Sequence, residues 1–181
     1  AREKDVELKV ETTPVPEFGD LIDDLTLSQL GNPFPIYSQR CMSELRSVGL
    51  GIALDLCHTF TLFQAAAHHA RQGDVVFDVY KGLFPQDIEY LATHHLRDEV
   101  KALRDGDVVH LNDSRDLYDP ELGQPHVEGV ALGEGDIPDL SDILRDLQNK
   151  NLHLVFEVNE SDYVDRPNLK KSVSYYQAAL Q

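Results

Sequence analysis

The sequence has no tryptophan, one methionine and two cysteines in 181 residues. Cys41 and Cys57 lack CxxC spacing and lie in apolar-periodic stretches, which favours reduced core thiols over a disulfide or a zinc knuckle. No apolar run reaches the roughly 18 residues of a membrane-spanning helix. The first residues, AREKDVELKVE, lack the apolar core of a secretory signal. A cytoplasmic protein without a membrane partner is expected. Basic residues are scarce, 16 Lys and Arg against 32 Asp and Glu, for a formal charge of −16. Such a field repels phosphate backbones, so nucleic acid is not an expected partner. The acidic excess fits a solvated face more simply than adaptation to a high-salt cytoplasm. Low-complexity tracts, repeats and linkers are absent, and 41% hydrophobic with 27% charged residues is an ordinary globular balance. Residues 1–181 are therefore expected to form a single domain.

Alternation and helical spacing give the order of elements. Val6, Leu8 and Val10 alternate with Glu7, Lys9 and Glu11 as in a strand, and TTPVP stops it. Ile36, Tyr37, Cys41, Leu45 and Val48 recur at helical spacing, with Gly49 placed just past the helix end. The strand GIALD follows. One or two helices are expected within 59–105, then the strand DVVHLND. Leu140, Ile143, Leu144 and Leu147 make the next stripe, with Pro138 suited to a first helical turn. NLHLVFEV reads as a strand, and Leu169, Val173, Tyr176 and Leu180 as a last amphipathic helix. The alternation β-α-β-α-β-α-β-α predicts an α/β fold of parallel strands with helices packed outside. GVALGEGDIPDL lacks the GxGxxG spacing of a dinucleotide turn and reads as a loop entering a helix.

The run GLGIALDLCHTF places an acid where a buried strand should meet water. Asp55 alone would serve as a helix cap. Four strands end alike, however: Glu11 in LKVET, Asp55 in IALDL, His110 in VVHLND and Glu157 in LVFEV. In a parallel βα array these ends share one face. Three carboxylates and an imidazole gathered there repel one another unless a cation intervenes. Oxygen-rich ligation with one histidine suits Mn2+ or Mg2+ better than Zn2+. His58, three residues beyond Asp55, overhangs the same pocket and could bind a substrate hydroxyl or a second metal. His68, His69, His94 and His95 read as surface or packing residues. His153 reads as a core or bottom-face residue.

DLCHTF, HLNDSR, HVEGVALGEGDI and LVFEVNE, in this order, resemble the xylose isomerase-like TIM-barrel superfamily of sugar isomerases, sugar epimerases and endonuclease IV, a group that includes AP endonuclease family 2. The resemblance implies metal ligation by Glu11, Asp55, His110 and Glu157. It also matches His58 to a histidine that binds substrate in the epimerases and a second metal in the endonuclease. It corresponds to strands five to eight of a (β/α)8 barrel, with the N-terminal half absent from this chain. Four strands cannot close such a barrel alone. A second chain or second copy completing it, or a fragment of a longer polypeptide, is expected. The endonuclease's Asp-x-His before its GxG loop is not matched, since Gln124 takes the Asp place when His126 is aligned.

The leading expectation is a metal-dependent sugar or sugar-phosphate isomerase or epimerase acting through an enediolate. The resemblance to the epimerases implies Glu11 and Glu157 as base and acid. Arg115 and His126 could hold a phosphate or distal hydroxyl, although surface roles are commoner for such residues. The alternatives are an endonuclease IV-like zinc-dependent nuclease and a non-catalytic subunit of the same fold.

Overall fold

The computed structural model describes residues 6–12, 39–72, 90, 93–115 and 127–181. Its strands are β1 (Lys9–Glu11), β2 (Gly51–Asp55), β3 (Val108–Leu111), β4 (Asp113–Arg115), β5 (Val127–Val130) and β6 (His153–Phe156). Its helices are α1 (Gln39–Ser47), α2 (Leu56–Gln72), α3 (Leu96–Ala102), α4 (Leu140–Gln148) and α5 (Pro167–Ala179). β1, β2, β3 and β6 form a parallel sheet in that order, so the βα alternation in the sequence is matched by a mixed α/β fold.

The strands are short, and their two faces differ. Ile52, Leu54, Val109 and Leu111 are fully buried. They pack with Leu96 and Val100 of α3 and with Leu140, Ile143, Leu144 and Leu147 of α4. Burying each of these aliphatic side chains contributes about 1.5–3 kcal/mol. The alternate residues point to the opposite face, where Asp55, His110 and Val155 lie side by side in register. This second face is only partly covered, with Val155 45% exposed. Chain polarity sends all four strands out at one end of the sheet.

At the opposite end, Asp107 ties α1 to the sheet. It accepts from Arg46 Nη1 at 2.9 Å and Nη2 at 2.5 Å, and from the N–H groups of Ile52 and Arg104. Burial alone would raise its pKa, but the Arg46 hydrogen bonds hold it below the usual carboxylate range.

Several expectations shift in detail. The first strand is limited to Lys9–Glu11, and Val6 and Leu8 before it are more than half exposed. Their alternation is genuine, but among the described residues β1 pairs with β2 alone, and no second partner extends the ladder. Pro138 precedes α4 rather than entering its first turn, because Asp139 adopts the left-handed conformation at φ 54° before the helix starts. The antiparallel β4–β5 ribbon is not foreshadowed by the βα alternation, since Asp113 and Ser114 carry no apolar period. His153 is exposed at the start of β6, which removes the core reading and leaves the bottom-face one. Both cysteines are free, and Cys57 is buried with its Sγ donating to the Asp113 carbonyl at 2.8 Å. Burial pushes that thiol far above its ordinary pKa, as suits a structural cysteine. Among the described residues no helix is long and apolar enough to cross a membrane.

Candidate metal centre

Glu11, Asp55, His110 and Glu157 meet at the carboxyl ends of β1, β2, β3 and β6. Each offers a donor atom, and the four donor atoms lie within 4.8 Å of one another. His110 Nδ1 is the focus, 2.5 Å from Glu157 Oε2, 3.1 Å from Glu11 Oε1 and 3.6 Å from Asp55 Oδ2. The Asp55 contact, opposed by burial and helped by Glu11 and Glu157, raises the His110 pKa. Three carboxylate oxygens around one nitrogen make a place for positive charge. Either a proton on His110 or a cation shared by all four residues can supply it, so the donor set fits a divalent metal.

Asp55 is the buried member, 1% exposed, and its two oxygens divide the work. Oδ1 accepts the His58 backbone N–H at 2.8 Å, which caps α2. Oδ2 accepts from Asn112 Nδ2 at 2.7 Å while facing His110. Asn112 in turn accepts the Cys57 N–H through Oδ1, bridging the end of β3 to the first turn of α2. The Asp55 N–H donates to Thr12 Oγ1 at 2.9 Å. The cap on α2 therefore leaves Oδ2 facing His110, so the cap reading of Asp55 does not exclude the site reading.

His58 lies beside this cluster. Its Nδ1 is 2.9 Å from the Thr12 carbonyl, so that nitrogen carries a hydrogen and donates. Nε2 then faces Glu128 Oε2 at 3.6 Å, and Glu11 and Asp55 stand 3.6 and 3.8 Å from Nδ1. Burial opposes charge on this ring, but Glu128, Asp55 and the Thr12 carbonyl outweigh it and push its pKa up to about 9. Glu128, on β5, is a member of the site that sequence reasoning missed. Its position in the HVEG stretch that the resemblance already singled out was the available signal.

The remaining expected residues are placed as follows. Arg115 ends β4 and donates from Nε and Nη2 to the Glu134 carbonyl at 3.1 and 2.9 Å, which fastens the GEG loop. His126 lies outside the described residues, as does Gln124. His94 stacks on Tyr90 with ring centroids 3.8 Å apart, in keeping with a packing role, and His95 is exposed at the start of α3. Side chains at His68 and His69 lie outside the described residues. No protein-family model matches this sequence, and no curated protein matches it.

Proposed function

We propose that this chain is the C-terminal half of a TIM barrel of the xylose isomerase-like kind, acting as a metal-dependent sugar or sugar-phosphate isomerase or epimerase. The observation that carries the reading is the convergence of Glu11, Asp55, His110 and Glu157 at the exit of four adjacent parallel strands. Mn2+ or Mg2+ suits a set of three carboxylates and one imidazole. When bound, the cation polarises a substrate carbonyl and its neighbouring hydroxyl.

Glu11 and Glu157 come from the two outer strands of the sheet, on opposite sides of Asp55 and His110. One takes a proton from the carbon beside the carbonyl, giving the enediolate, and the other returns a proton to the product. Both side chains are partly exposed, 42% and 58%, so each can reach a bound polyol. Asp55, buried and hydrogen-bonded on both oxygens, holds position and does not exchange protons with substrate. His58 binds a substrate hydroxyl beside them, its ring fixed by Thr12.

Solvent-hydrogen exchange tests the chemistry. With Mn2+ present, deuterium from the solvent enters the carbon beside the carbonyl of at least one ketose in a panel, and Glu157→Gln abolishes it. No exchange from the assembled protein with any sugar would overturn the assignment. About three zinc ions per assembled barrel would point to the nuclease chemistry instead.

β1 and β6 pair on one side only among the described residues, and open parallel edges recruit further strands. A second chain or a second copy supplying four strands would complete the barrel. Sedimentation is expected to show a species larger than one 20.4 kDa chain. A compact monomer carrying a full metal site would defeat this part of the proposal.

A further inference from the structure

Glu128 and Glu157 stand on separate pieces of structure. Glu157 leaves β6 of the four-stranded sheet, whereas Glu128 belongs to β5, whose partner is β4. One residue joins them. The Asn159 backbone N–H donates to the Gly129 carbonyl at 2.6 Å, and its Nδ2 donates to the Glu128 carbonyl at 2.8 Å. The Asn159 carbonyl accepts from Asn168 Nδ2 at 2.6 Å, on the first turn of α5. Asn159 is thus tied to β5 on one side and to the next helix on the other.

Gly129 is shaped to receive it. Its φ is +71°, a conformation that side chains disfavour, and a Cβ there would stand 2.8 Å from Asn159 Nδ2. The amide therefore lies close over the β5 backbone, nearer than a Cβ at this position would allow. Two residues earlier, the Glu157 N–H donates to the Leu111 carbonyl at 3.1 Å. The segment from Glu157 to Asn159 is pinned to β3 at its start and to β5 at its end.

We propose that Asn159 is a positioning residue, an inference that rests on the metal-centre reading above: it sets the spacing between the Glu157 wall of the site, beside His110, and the Glu128 wall, beside His58. Its two bonds to β5 hold the peptides on both sides of Gly129, the first of which is Glu128's own, and hence the direction of the Glu128 carboxylate towards His58 Nε2. The same anchor limits how far the half-exposed Glu157 can swing from His110. Partners that orient metal-site residues in this way typically change metal affinity by 10–100-fold when removed.

The test uses Asn159→Ala and Asn159→Asp. The second keeps the shape and the backbone N–H bond to Gly129 but sets a charged carboxylate oxygen against the Glu128 carbonyl, and Asn159→Ala, which adds no charge, separates the lost bond from that charge. In the metal-free protein, the His58 ring-nitrogen resonances of both variants should move towards those of Glu128→Gln, while amide resonances in α4 stay in place. Mn2+ affinity, measured by calorimetry, should fall roughly tenfold for Asn159→Ala. Adding Gly129→Ala to Asn159→Ala should cost less melting temperature than Gly129→Ala alone, because the amide that blocks the new Cβ has gone. Wild-type His58 resonances in a folded Asn159→Asp protein, or additive losses in the double variant, would overturn the positioning role. Failure of the wild-type protein to bind Mn2+ overturns the metal-centre reading separately, since the His58 resonances and the double-variant comparison need no metal.

Discussion

Saturating Mn2+ is expected to raise the melting temperature of the metal-free protein, and Asp55→Asn to remove most of the rise. Without a cation, three carboxylate groups share one imidazole, and their mutual repulsion weakens the folded state. A ligand that binds only the folded state adds about 2.7 kcal/mol at a hundredfold excess over Kd. For a domain of this size that is a shift of roughly 5–10 °C. Asp55→Asn keeps an oxygen for the His58 N–H, and so the cap on α2, while deleting a buried charge at the centre of the donor set. Mn2+ affinity should fall at least tenfold, a magnitude typical of weakened metal-site geometry.

The dependence on pH has a definite sign. His110 must lose its proton to bind a metal, and the Asp55 contact with the neighbouring glutamates raises its pKa. Mn2+ affinity is therefore expected to climb with pH through the ordinary histidine range and to level off only above the raised value, with about one proton released for each ion bound below it. Calorimetry in buffers of different ionisation enthalpy counts that proton. Identical melting curves with Mn2+ and with chelator would sink the metal centre.

The four-residue cluster was legible because strand and site obey the same geometry. Apolar runs that end in an acid or a histidine mark where each strand exits, and parallel strands exit together. His58 was legible through its spacing from Asp55, since three residues into a helix returns the chain to the same mouth. The choice between cap and ligand for Asp55 was not, because a carboxylate has two oxygens, and here one caps α2 while the other faces Asn112 and His110.

Glu128, Asn112 and Asp113 escaped for another reason. Each is a polar residue in or beside a short strand, and from sequence such residues resemble ordinary solvated turns. Asn112 and Asp113 are 3% and 1% exposed; Asp113 is wrapped by the loop before α4, and Asn112 lies against Asp55 and the first turn of α2. Glu128 stands beside His58 on the β4–β5 ribbon, which Asn159 contacts, a tertiary arrangement with no local period. Arg115 shows the reverse. Its charge suggested a phosphate or a distal hydroxyl, with a surface role the commoner reading, and the exposed side chain donates to the backbone of the GEG loop.

That loop is where the largest loss of stability is expected. Asp113 is buried at the end of the sheet and accepts four backbone N–H groups, those of Ser114 and Ile137 on Oδ1 and those of Gly133 and Gly135 on Oδ2. Burial raises its pKa, with the four donors working against that rise. Gly135 has no room for a side chain, because a Cβ there would overlap the Asp113 carboxylate and the Ser114 carbonyl. The carboxylate thus acts as the core around which the loop from Gly133 to Ile137 is wound. Asp113→Ala leaves four buried or half-buried donors without their acceptor, and each such loss costs about 1–3 kcal/mol. Because the loop can partly open to water, the sum is not reached, and a loss of roughly 4 kcal/mol is expected. That corresponds to a fall of roughly 8–16 °C in melting temperature. Asp113→Asn keeps one acceptor oxygen and should lose about half as much.

Hydrogen exchange locates the effect, since the amides of Gly133, Gly135 and Ile137 should lose protection before those of β2 and β3. The metal centre should suffer less than the fold, through Asn112, which neighbours Asp113 and donates to Asp55. Urea denaturation that places Asp113→Ala within 1 kcal/mol of the wild-type protein would show that the loop is held by its packing against Tyr175 and α5, and not by the buried carboxylate.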